Sequence, residues 1–260
     1  MDLAAARHAF VTGGASGIGL AIADALAAEG VPVTLADVDA EALAVVLAAR
    51  DARFRGQVLD VRDRAGWARA RAEAEAAFGP VDILINNAGV APDGMELADM
   101  DPDAFDWVVA INLTGVFNGV STFGKAFRAL GRGQIVNTAS MSGMTADWPG
   151  LGSYASSKFG VAAMTEVLRM EMEPYGVGVS LFCPGTTATN LMANTVKLGG
   201  KLRDPEGSLL GFPVQPAQVA AIVVKGIAEN RPYIFTHPER RVAVEGRFAR
   251  IMADFEGPGG

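Results

Sequence analysis

Tyr154 and Lys158 stand four residues apart, and Ser140 precedes the tyrosine by fourteen. On a helix a spacing of four puts both side chains on one face, one turn from each other. A phenol with a pKa near ~10 is a poor base at neutral pH. A nearby ammonium stabilises the phenolate and lowers that pKa, and a positively charged cofactor ring would lower it further. A hydroxyl such as that of Ser140, brought in from a neighbouring strand end, can then hold a substrate oxygen against the tyrosine. The chemistry on offer is acid/base transfer at an oxygen. A Tyr and a Lys four apart also occur on many helices as plain neighbours, so the pair takes its meaning from what surrounds it.

The elements that would position these groups follow from periodicity. Ala9-Phe10-Val11 is a short apolar run, followed by a glycine-rich turn and a helical pattern through Ile22, Ala25 and Leu26 that closes at Gly30. Strands are predicted at Val33 to Ala36, Phe54 to Leu59, Ile83 to Ile85, Gln134 to Asn137, Val179 to Phe182 and Tyr233 to Phe235. Helices are predicted near 40–50, 64–78, 103–130, 216–230 and from Tyr154 to about Pro174. Strands alternating with helices are the pattern of βαβ units and a mostly parallel sheet. The fold class predicted is α/β, a Rossmann-type doubly wound parallel sheet in a single domain over residues 1–260. The weakly periodic stretch 186–213 reads as a substrate lid, since long irregular segments in compact domains are usually functional. The tail beyond 239 is charged, then rich in Gly and Pro, and is expected to fray.

In such a sheet ligands bind at the carboxyl ends of the strands, and the polar residues gather there. Gly13, Gly17 and Gly19, with Ser16 and Ile18, form a turn between the first strand and first helix. Glycines let backbone approach a pyrophosphate, and the helix N-terminus supplies amide donors. Asp37 ends the second strand, eighteen residues past Gly19. A carboxylate there can accept both ribose hydroxyls of an adenosine and repels a 2′-phosphate, which favours NAD over NADP. It can also serve as a cap for the helix near 40. Asp60 and Val61 could bracket the adenine. Asn87, Ala88 and Gly89 follow a strand end where the chain must pass close to a cofactor, although Asn-Asn-Ala-Gly also suits an ordinary turn. Asn112 is polar inside an apolar run, so its amide needs partners.

Composition narrows the classes. The net charge of −7 disfavours nucleic acid and anionic membranes. One cysteine, Cys183, and two histidines, His8 and His237, argue against a disulfide or a metal cluster. No apolar run reaches the ~18 residues of a membrane span, and the first residues do not read as a signal peptide. A cytoplasmic enzyme is the expectation.

Taken together, Thr12-Gly-Gly-Ala-Ser-Gly-Ile-Gly19, Asn86-Asn-Ala-Gly89, Asn112, Ser140, Tyr154-x-x-x-Lys158 and Pro184-Gly185 resemble the motifs of the classical short-chain dehydrogenase/reductase family, in order and over essentially the whole chain. The resemblance implies hydride transfer with NAD or NADP. It implies that Tyr154 is the general acid/base, that Ser140 orients the substrate oxygen, and that Lys158 lowers the tyrosine's pKa and holds the nicotinamide ribose. Asn112 would link Lys158 to solvent through water. Pro184, Gly185 and Thr189 would flank the nicotinamide, with Thr186 or Thr187 as alternatives to Thr189. Cys183 stands where many members have Asn, and Ser142 lies close enough to Ser140 to compete with it.

Met95, Met141, Met144, Trp148 and Leu151, with Leu191, Met192 and Val196 from the lid, form the expected pocket wall. Methionines adapt to irregular shapes, and these stretches carry no cation to clamp an acid. A hydrophobic secondary alcohol and its ketone fit best. The alternatives are an NADPH-dependent 3-oxoacyl carrier-protein reductase, a sugar or polyol dehydrogenase, and a non-catalytic dinucleotide sensor. Apolar character around 103–130 and 153–174 predicts a homotetramer or homodimer.

Overall fold

The computed structural model describes residues 1–203 and 213–255. Its strands are β1 (Ala9–Thr12), β2 (Val33–Asp37), β3 (Phe54–Val58), β4 (Ile83–Asn86), β5 (Gly133–Thr138), β6 (Val177–Cys183) and β7 (Tyr233–Phe235). They form one seven-stranded sheet in the order β3-β2-β1-β4-β5-β6-β7, and every pairing is parallel. Between them run α1 (Gly17–Ala28), α2 (Ala40–Ala48), α3 (Arg64–Phe78), α4 (Pro102–Val109), α5 (Gly115–Leu130), α6 (Gly152–Met172), α7 (Leu191–Lys197) and α8 (Pro216–Ala228), with α9 (Arg241–Phe255) at the end.

Strand alternation sends neighbouring side chains to opposite faces. Ala9 and Val11 join Ile22, Leu26, Val223 and Ile227 in a core beneath α1 and α8. Phe10 and Leu84 point the other way, into a core with Trp67, Phe123 and Phe127 from α3 and α5. Both faces are therefore covered, which is why these strands read as continuous apolar runs rather than alternating ones. The order of the sheet reverses between β1 and β4, and the crevice at that switch point lies beyond their carboxyl ends.

The long helix expected over 103–130 is interrupted by a π turn at Ala110–Thr114, which carries the buried Asn112. Within the expected lid, residues 191–197 form α7, while 204–212 lie outside the described residues. The tail departs from expectation: a 3-10 turn at Pro238–Arg240 leads into α9, and only 256–260 lie outside the described residues. Helix α9 is laid on the surface, with Val244 against the core of α6 and Arg247 over the Phe159 ring at 4.9 Å. Among the described residues, no helix is long and apolar enough to cross a membrane.

Candidate active site

A cleft opens at the switch point, lined by Gly13, Ser16, Gly17 and Ile18 after β1, by Asp37 at the end of β2, and by Asn87, Ala88 and Gly89 after β4. Gly13 and Gly17 have φ of 63° and 55°, in the left-handed region where a side chain is strained. Ser16 is the N-cap residue of α1, yet its side chain makes no capping bond among the described residues. The first amides of α1 thus face the cleft uncapped, as an anion-binding helix start requires. This donor set fits the pyrophosphate of a dinucleotide.

Gly19 does something else. It is buried and does not line the cleft, and a Cβ there would come within 2.2 Å of the Gly13 carbonyl oxygen and 2.5 Å of Asn87 Nδ2. It is glycine so that the helix can pack under its own entry turn. Asn87 fastens the same turn, donating to the Thr12 carbonyl at 3.0 Å, while the Asn87 and Ala88 amides donate to Thr12 Oγ1 at 2.9 and 3.0 Å.

At the outer end of the cleft Asp37 accepts from the Ala15 amide at 3.0 Å and the Asp39 amide at 3.1 Å. The cap of α2 is Asp39, not Asp37. Asp60 lines the cleft, but its carboxylate grips Arg62 through both oxygens, at 2.9 Å to Nε and 2.6 Å to Nη2. That pairing holds the Asp60 carboxyl below its usual pKa. Two cations that the sequence reading passed over also line this end: Arg62, and Lys197 of α7, whose Nζ lies 2.5 Å from Asp39 Oδ2. Arg62 could have been found two residues past Asp60. Lys197 is adjacent only through the fold.

The reacting groups converge at the inner end. Tyr154 and Lys158 both line the cleft from α6, with the Lys158 ammonium 5.5 Å from the Tyr154 ring centroid. Ser140, two residues past β5, stands near enough to Tyr154 for its hydroxyl to stabilise the phenolate. Ser140 Oγ accepts from the Ser142 amide at 3.1 Å, and it is the Ser140 side chain, not that of Ser142, that acts on the Tyr154 hydroxyl. Lys158, almost fully buried, donates to the Thr138 carbonyl at 3.0 Å. Asn112 Oδ1 accepts from the Val90 amide at 2.8 Å, and its Nδ2 donates to the Val90 carbonyl at 3.0 Å. Gly89 stands between these groups: a Cβ there would lie 3.1 Å from Asn112 Oδ1 and 3.6 Å from Lys158 Nζ.

The electrostatics differ from the expectation that lysine lowers tyrosine. Burial raises the Tyr154 phenol above its ordinary pKa, and the Ser140 hydrogen bond only partly opposes it. Burial likewise lowers Lys158 to about 8. In the chain by itself, desolvation drives both groups toward neutrality.

Most of the expected pocket wall does not line this cleft. Met141 is buried in a core with Val161, Ala162, Leu181 and Cys183, and Met144 packs against it. Trp148 and Val196 are about half exposed, at 49% and 48%. Met95, Leu151 and Met192 are partly buried but do not line the cleft; of the eight, only Leu191 does. Its apolar lining comes instead from Val90, Trp107, Ile111 and Leu198. Thr187 also turns away, donating to the Gly185 carbonyl at 3.2 Å, whereas Thr189 and Pro184 line the cleft. Gly185 lies behind them.

Residues 7–198 match the family described as short chain dehydrogenase. Levodione reductase from Leifsonia aquatica is 37% identical, over 88% of this chain and 90% of that protein. L-2,3-butanediol dehydrogenase from Corynebacterium glutamicum is 33% identical, over 88% of this chain and 94% of that protein. The crystal structure of a short chain dehydrogenase/reductase from Burkholderia phymatum in complex with NAD superposes with a TM-score of 0.88 at 31% identity, covering 97% of this chain and 96% of that one. With its parallel sheet, switch-point cleft and Ser-Tyr-Lys cluster, the chain belongs to the classical short-chain dehydrogenase/reductase family of oxidoreductases.

Proposed function

We propose that the protein is an NAD-dependent oxidoreductase that interconverts a hydrophobic secondary alcohol and its ketone. The observation that carries this is a single cleft with Tyr154 and Lys158 at one end and the Asp37 carboxylate at the other. The names of the two curated relatives, a diol dehydrogenase and a dione reductase, support the alcohol–ketone class. Asp37 supports NAD, because a carboxylate suits two ribose hydroxyls and repels a phosphate. Arg62 and Lys197 also line this end, each paired with an aspartate, so the paired NAD⁺ and NADP⁺ assay decides the preference.

Bound nicotinamide would supply the hydride acceptor or donor, and with it a positive charge in the oxidised form. The protein's part is orientation and proton transfer. Ser140 holds the substrate oxygen beside the tyrosine. In oxidation the Tyr154 oxygen takes the alcohol proton, and in reduction it returns one to the carbonyl oxygen. Lys158 would hold the nicotinamide ribose and, as ammonium, favours the phenolate. Asn112, whose amide is bonded to the Val90 backbone, would link Lys158 to solvent through a water. The segment carrying α7 acts as the lid, and the protein works as a homodimer or homotetramer. The test is a panel of hydrophobic secondary alcohols assayed with NAD⁺ and with NADP⁺. Turnover restricted to polar sugars, or better use of NADP⁺, overturns the reading.

A further inference from the structure

The turn after β6 is held by an unusual partner. Pro184 lines the cleft, and its carbonyl accepts from the Met141 amide at 2.9 Å, one residue past Ser140. The next amide, that of Gly185, lies 3.2 Å from Thr236 Oγ1 and 3.2 Å from His237 Nδ1, both just beyond β7. The imidazole lies against Gly185, where a Cβ would fall within 2.5 Å of His237 Cγ and Nδ1. Thr236 and His237 are buried, at 6% and 8% exposure. The Gly185 amide is shared between the two acceptors, and Thr236 Oγ1 itself lies 2.8 Å from His237 Nδ1. With Nδ1 accepting, the ring proton falls on Nε2, a buried atom without a partner among the described residues. The ring therefore meets the turn through Nδ1, beside the Thr236 hydroxyl. A continuous path runs from His237 through Gly185 and Pro184 to Met141, and so to Ser140 and Tyr154.

We propose that His237 is a positioning residue: with Thr236 it fixes the Pro184–Gly185 turn, and through it both the inner wall of the cleft and the Ser140 turn. This rests on the dinucleotide reading above, in which the nicotinamide half lies at that inner end. The adenosine end, marked by Asp37, is not part of the path. Loss of the imidazole acceptor thus affects nicotinamide placement and hydride transfer while sparing adenosine recognition.

The test compares His237→Ala, His237→Phe and His237→Asn. Asparagine Oδ1 can occupy the place of Nδ1 and accept from Gly185, whereas phenylalanine fills the space without an acceptor. Binding of NADH and of ADP-ribose is measured by titration, and kcat with whichever secondary alcohol the wild type oxidises fastest. Alanine and phenylalanine should lower kcat by about tenfold or more, since small misplacements at a reacting centre are costly. They should weaken NADH several-fold and leave ADP-ribose within about twofold. Asparagine should recover most of kcat. If alanine does not fold, the contrast between asparagine and phenylalanine decides. Equal kcat for those two, or equal weakening of NADH and ADP-ribose, overturns the assignment. A wild-type protein that binds neither ligand removes the dinucleotide reading itself, and this inference with it.

Discussion

Burial sets the working problem for Tyr154 and Lys158, because each must carry charge in a place that disfavours it. Tyr154→Phe keeps the ring and its packing but cannot exchange a proton. Turnover should fall by about 10²-fold or more, with the NADH dissociation constant nearly unchanged in a fluorescence titration. Substantial residual activity would show that Tyr154 is not the acid/base. Lys158 carries a pH signature that can be read without substrate. Its folded pKa of about 8 lies below the unfolded 10.5, so between those values the unfolded chain binds more protons. Stability then rises with pH across that window, and below about 8 the folded protein bears the full cost of a buried ammonium. In urea titrations of the cofactor-free protein, stability should climb on the order of 2 kcal/mol between pH 8 and 10 from this group. Lys158→Met should lose that slope along with catalysis. Identical pH profiles for the two proteins would refute the depressed pKa. Asp37 works differently, since its carboxylate also holds the Ala15 and Asp39 amides. Asp37→Asn should therefore weaken NAD⁺ while narrowing the preference over NADP⁺ by about tenfold, near 1.4 kcal/mol. Paired kcat/KM measurements check it, and an unchanged ratio places the discrimination elsewhere.

Helix α7 is the element that ties the cleft together. Asn194 donates to Ser16 Oγ at 3.0 Å, Thr195 Oγ1 accepts from the Ala91 amide at 2.9 Å, and Lys197 pairs with Asp39. Three cofactor-side loops are thereby joined to one short helix. The Lys197–Asp39 pair is solvent-exposed, and such pairs contribute ~0–1 kcal/mol. Lys197→Met should accordingly speed NADH release by no more than about fivefold, an increment that fades in high salt as the wild-type pair is screened. Stopped-flow displacement reads it, and a release rate unaffected at low salt removes the tie. The sequence was legible where local pattern and tertiary burial agree. Strands covered on both faces announce themselves as apolar runs, and a helical pattern closed by Gly30 marks α1. Helix α7 stayed hidden because it buries only Thr195 and owes its place to partners far away in sequence. Helix α9 buries none of its residues and left no apolar stripe to detect. The same limit governs the site. Ser140, Tyr154 and Lys158 follow from spacing, but Met141 and Leu191 sit in similar apolar company and only packing separates core from cleft.

At the scale of the whole molecule, apolar surface remains on two neighbouring regions, which meet at a groove lined by Met170 and Tyr233. Phe117 on α5 and Val167 and Met170 on α6 are exposed at 47%, 50% and 66%. Tyr233 and Phe235 stack at 6.1 Å on the exposed face of β7, and Val242, Phe248, Met252 and Phe255 of α9 are exposed as well. Strand β7 is also a sheet edge, which proteins ordinarily cover. Exposed apolar faces of this kind mark interfaces, and two distinct self-complementary faces generate a tetramer with crossed two-fold axes. Light scattering at micromolar concentration should therefore give a tetramer, or a dimer if only one face is used. Met170→Glu places a charge in the centre of the first face without touching the cleft, and should split a tetramer to a dimer through the surviving face. Phe248→Glu on α9 should do the same through the other, and the double variant should yield monomers. A monomeric wild type refutes the assembly. A tetramer indifferent to both substitutions refutes the faces assigned to it, because a glutamate buried against apolar side chains without a partner is costly enough to break any contact centred on it.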